Sequence, residues 1–118
     1  MIRVVALGGA LGSALRWAIS LLWPSHFPWT TLAINIIGSA ALGALLAWIS
    51  LRPQTHPLLR PFVGTGILGG FTTFSTFTVE ARALPAGLAA TYVVLTVTGA
   101  VTAVVFADRL VRRWQPSP

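Results

Sequence analysis

Gly66-Ile67-Leu68-Gly69-Gly70-Phe71-Thr72-Thr73-Phe74-Ser75-Thr76-Phe77 combines paired glycines, a run of hydroxyls and three phenylalanines inside an apolar segment long enough to span a bilayer. In hydrocarbon, a helix break survives only where the freed backbone groups are buried in protein or line a polar cavity. Gly69-Gly70 therefore predicts a membrane helix that is broken near Gly69-Thr72 and holds an ion.

The rest of the chain supplies the setting. It has 118 residues, 55% of them hydrophobic and 8% charged, with a mean hydropathy of +0.80. That leaves too little polar surface to cover a soluble domain, so the chain is expected to be a multi-pass protein of the cell (inner) membrane. The net charge of +6 comes from arginines clustered between apolar runs. Such placement marks membrane topology, not the basic face that nucleic acid would need. The absence of cysteine excludes a disulfide framework, a thiolate metal site and a cysteine nucleophile. His26 and His56 fall in loops without a partner at metal-ligand spacing, and no nucleophile is matched with a base in the spans, so no enzyme is expected.

Four spans are predicted, at about 2–22, 29–50, 61–84 and 86–107, and they use nearly the whole chain as one channel-sized unit. The first begins with one arginine and an apolar run but lacks a small-residue cleavage pattern, and so reads as retained. Trp23 to Trp29 places two prolines among aromatic residues, a turn at headgroup level, and Leu51 to Pro61 forms a solvated loop with three prolines. Helix association in lipid relies on close backbone approach. Gly8 and Gly12, Ser39 and Gly43, and Gly66 and Gly70 each provide the required four-residue spacing. Four thin helices enclose little space, so a dimer is expected.

The polar groups within the spans indicate the cargo. Asn35, Ser39, Thr72, Thr73, Ser75, Thr76, Tyr92 and Thr96 can all donate hydrogen bonds, whereas the two carboxylates, Glu80 and Asp108, lie towards span ends. A cation or proton path usually requires an acid at depth, and an anion path requires N–H and O–H donors. Phe74 and Phe77, three residues apart on one helical face, can add the positive edges of their rings. An anion is the better match. Thr98 and Thr102 are read instead as bonding back to the preceding helical turn.

Gly69-Gly70-Phe71-Thr72-Thr73-Phe74-Ser75-Thr76-Phe77, with Glu80 after it, resembles the signature of the small fluoride channels called CrcB or Fluc. Gly8 to Trp17, glycines followed by Arg16, resembles that family's first-helix pattern, and Thr31 to Ser39 resembles its asparagine motif around Asn35. The resemblance implies an antiparallel, dual-topology dimer of four-helix subunits, with two fluoride pathways and a structural sodium ion at the dimer interface. It places the backbone carbonyls of Gly69 and Thr72 on the sodium. It places Asn35, Phe74, Phe77, Ser75 and Thr76 along the fluoride path, joined by Tyr92 and Thr96, with Ala100 where a further hydroxyl would stand. Arg16 would attract anions near the aqueous vestibule.

One feature pulls against a symmetrical pair. With four spans, Arg3, Arg52, Arg60, Arg109, Arg112 and Arg113 share one side, and the other side has Arg82 and at most Arg16. That bias predicts a single orientation with both ends cytoplasmic, so an oppositely oriented homologue is a possible partner beside the homodimer. Two other classes compete with a fluoride channel. A small dual-topology multidrug transporter would need a glutamate within the first helix, where this chain has none. A non-transporting membrane scaffold would tolerate replacement of the hydroxyls and of Phe74.

Overall fold

In the computed structural model, which describes residues 1–114, the spans are helices and no strand occurs among the described residues. The chain forms α1 (Ile2–Leu22), α2 (Trp29–Ser50), a π-wound segment (Arg60–Leu68) that runs on into α3 (Gly69–Phe71), α4 (Ser75–Ala83) and α5 (Ala86–Trp114). Arg60–Ala83 together make the third of four spans long and apolar enough to cross a membrane. Leu7, Leu11 and Leu15 on α1 remain exposed. These are the surfaces that lipid covers in a multi-pass membrane protein.

The helices associate in two pairs. α1 lies along the π-wound segment and α3, and α2 lies along α5. Glycine makes the first seam possible, because a methyl group on Gly12 would overlap the Ile67 carbonyl and the Phe71 amide, and one on Gly70 would overlap the Gly9 backbone. The second seam repeats the device, with Gly43 against the backbone of Val104. A small buried cluster of Leu32, Phe77 and Tyr92 ties α4 to α2 and α5, with Phe27 and Leu84 packed around it.

Two boundaries sharpen the sequence expectation. The third helix breaks at the Thr72 end of the expected stretch: Gly69 is helical at φ −65°, ψ −35°, and the chain first turns extended at Thr72, at φ −74°, ψ 156°. Gly69-Gly70-Phe71 continues the helix, and Thr72 to Phe74 interrupts it before α4 begins. α5 also runs seven residues past the expected end at 107. Asp108 and Arg112, one turn apart and 3.0 Å from contact to contact, bridge the charged stretch and let the helix continue. At about 1.5 Å per residue, α5 exceeds the hydrocarbon thickness and carries its arginines into the headgroup region.

Candidate functional site

The break in the third span is made by side chains that take the amides a continuous helix would use. The Thr73 amide donates to Asn35 Oδ1 at 2.8 Å, and Asn35 Nδ2 donates back to the Thr73 carbonyl at 3.0 Å. The Thr76 amide donates to Thr73 Oγ1 at 3.1 Å and so starts α4 on a hydroxyl. In an unbroken helix these two amides would meet the carbonyls of Gly69 and Thr72. Among the described residues no donor reaches either carbonyl, and Phe71 O is likewise left free. The Gly70 carbonyl between them is occupied, by Ser13 Oγ at 3.3 Å and Arg16 Nε at 3.2 Å.

Beside the break lies a groove of about 400 Å³, lined by Asn35, Ser39, Thr72, Thr73, Phe74, Phe77, Thr96 and Ala100 among others. Asn35, 8% exposed, has one N–H left after its bond to Thr73. Thr96 Oγ1 is buried and has no hydrogen-bond partner. An unpaired hydroxyl in such surroundings is costly. Phe74 and Phe77 stand with ring centroids 5.7 Å apart and planes tilted by 49°. Phe77 is buried, whereas Phe74 is 77% exposed and projects from the helices.

The structure thus brings together Asn35, Phe74, Phe77, Thr96, Thr72 and Gly69 around one groove. Thr76 stands beside them, bonded to Thr73 Oγ1, and Ser75 Oγ is 3.4 Å from the same hydroxyl on the exposed side. Arg16 is set apart from the groove, on the α1 side of the break. Thr98 bonds back to Val94 O one turn earlier. Tyr92 is fully buried, and its hydroxyl donates to Glu80 Oε2 at 2.8 Å, while Thr31 Oγ1 donates to Glu80 Oε1 at 2.9 Å.

Glu80, Thr31 and Ser13 also hydrogen-bond around the break, although the sequence reading gives none of them a role of its own. Glu80 lies near the end of its span but turns its carboxylate inward onto two hydroxyls, beside a second cavity of about 350 Å³ that also includes Ser20, His26 and Thr31. Its position three residues after Phe77, on the same helical face, was the available signal.

A family model described as "CrcB-like protein, Camphor Resistance (CrcB)" matches residues 3–107. The chain belongs to the CrcB family. Among relatives of this CrcB chain, "Fluoride-specific ion channel FluC 1" of Streptomyces coelicolor is 46% identical over 129 residues, covering 99% of this chain and 82% of the relative. "Fluoride-specific ion channel FluC" of Erythrobacter litoralis is 47% identical, covering 92% of this chain and 89% of the relative. The protein of the same name from Agrobacterium fabrum is 41% identical, covering 87% and 89%. All three are named as channels, none as an enzyme.

Proposed function

We propose that this chain is the subunit of a passive, fluoride-selective channel that lets fluoride leave the cytoplasm across the inner membrane. The observation that carries this reading is the groove, in which the unpartnered Thr96 hydroxyl, the free N–H of Asn35 and the edges of Phe74 and Phe77 converge without a carboxylate. A small, strongly hydrated anion must exchange its water for several fixed donors, and a narrow path lined by them disfavours larger anions. Ser75 and Thr76 extend the path, and Tyr92, whose O–H is given to Glu80, borders it through its ring packed on Phe77. Arg16 adds positive charge nearby.

The groove is open-sided, and the subunit measures only 21 Å along its shortest axis. A second, antiparallel copy completes each path, with Phe74 projecting into the partner, so that a dimer has two pores. The free carbonyls of Gly69 and Thr72 suit a sodium ion at the dimer interface, since hard cations take neutral carbonyl oxygens. Among the described residues no three acidic or histidine side chains cluster to offer another kind of cation site. Bound there, sodium would neutralise the carbonyl dipoles and fasten the two subunits together.

The experiment is fluoride efflux from liposomes containing this chain alone, followed with a fluoride electrode beside a chloride control. Fluoride release without chloride release is expected. If neither ion moves, a second reading becomes preferable: the exposed arginines at the α1 N-terminus, the 51–59 loop and the end of α5 orient every copy alike, and an oppositely biased homologue supplies the other half. Silence with such a homologue present rejects the channel.

A further inference from the structure

We propose that Arg16 is a positioning residue for the break in the third span, acting through the Gly70 carbonyl by hydrogen bonding and not through its charge alone. In a continuous helix the Gly70 carbonyl would accept the Phe74 amide and draw the chain into another turn. Here that carbonyl is held by Arg16 Nε at 3.2 Å and Ser13 Oγ at 3.3 Å, both from α1. The two donors lie three residues apart on one helical face, immediately after Gly9 and Gly12, whose close approach to Gly70, Ile67 and Phe71 brings α1 within reach.

The electrostatics favour the same assignment. The carbonyl end of a helix carries partial negative charge, and a guanidinium there both hydrogen-bonds and complements it. The one ion pair among the described residues joins Arg112 to Asp108, so no carboxylate holds Arg16 in place. An arginine within a span is costly and persists where the bundle uses it. By occupying Gly70, Arg16 and Ser13 leave the neighbouring Gly69 and Thr72 carbonyls as free acceptors, while Asn35 occupies Thr73 on the other side. Arg16 and Asn35 therefore bracket the break from opposite helices.

Two substitutions separate the hydrogen bond from the charge. Arg16→Gln removes the charge but keeps an N–H donor at the same number of bonds from Cα as Arg Nε. Arg16→Met removes both at similar length. The test is built on the channel proposed above, and fluoride efflux is compared for wild type, Arg16→Gln and Arg16→Met in liposomes. Both variants conduct less than wild type, and Arg16→Gln is expected to conduct at least about threefold better than Arg16→Met, the scale of one neutral hydrogen bond. The gap should persist at high ionic strength, where attraction of anions by a distant charge is screened. Equal flux in the two variants, or a gap that salt abolishes, overturns the proposal. If the wild-type protein itself conducts no fluoride, the channel reading has failed, and the thermal midpoints of the same three proteins decide this one: Gln above Met carries it, and Gln level with Met overturns it. A Met variant that does not fold beside a Gln variant that does counts as Gln above Met.

Discussion

The third span has two faces that treat their backbone in opposite ways. Towards α1, Gly66 and Gly70 meet Gly8 and Gly9 backbone to backbone, and the Gly70 carbonyl, freed by the break, receives two donors. Towards the groove, the carbonyls of Gly69 and Thr72 have no donor and Thr96 keeps a buried hydroxyl unpaired. The closed seam provides a fixed wall, and the open face keeps polar groups that the subunit alone does not satisfy. A membrane helix bears such a face only when something else completes it.

Filling the closed seam should have the largest effect. Gly12→Ala places a methyl group against backbone atoms of Ile67 and Phe71, which cannot move without separating α1 from the third span. We expect a cost above about 3 kcal/mol and no assembled protein by size-exclusion chromatography. Gly9→Ala is the control, because a methyl there meets nothing within 4 Å. It should be tolerated or stabilise by about 0.5–1 kcal/mol. A folded, conducting Gly12→Ala would show that the seam is softer than its geometry implies.

The next largest effect should come from the residue that holds the break from the groove side. Asn35→Asp loses the donor to the Thr73 carbonyl, sets an oxygen against an oxygen, and brings a carboxylate into an anion path. Fluoride flux should fall to background and the protein should lose about 1–3 kcal/mol of stability, the cost of a buried unpaired carbonyl. Undiminished flux would mean that Asn35 is only a packing residue. Phe74→Ile should instead leave the fold intact, because Phe74 is 77% exposed and its removal opens no core. Its flux should drop by about 100-fold, or ~3 kcal/mol in barrier, as the ring edge disappears. Wild-type flux in this variant would remove Phe74 from the path.

How the faces were legible in the sequence differs as well. The four spans follow from hydropathy and length, and the seam follows from glycines at four-residue spacing, because both signals are local. The paired glycines and the hydroxyls after them place the break near Gly69-Thr72, but not its exact residue or its cause. In the fold those glycines serve close packing, and the interruption is made at Thr72 and Thr73 by a hydroxyl and by Asn35, which lies 38 residues away. No local pattern reveals a partner at that distance. The inward turn of Glu80 onto Thr31 and Tyr92 was hidden for the same reason, and the extension of α5 was hidden because Asp108 and Arg109 look like an end until Arg112 is seen to bridge back.

Thr96→Val tests the smallest and most specific consequence of the comparison. The substitution keeps the shape of the side chain and removes a buried hydroxyl that has no partner within the subunit. If that hydroxyl had no part in permeation, its loss would raise stability and leave flux unchanged. If it is held ready for a permeating anion, its removal relieves a desolvation cost in the empty protein and withdraws a donor from the occupied one. Valine should therefore raise the thermal midpoint, by the equivalent of about 1 kcal/mol, and at the same time lower fluoride flux about threefold to tenfold. The two changes in opposite directions are what distinguish a functional vacancy from a packing defect. A variant that gains stability and keeps its flux would move Thr96 out of the pathway, and one that loses both would show that its hydroxyl finds a partner when the subunits assemble.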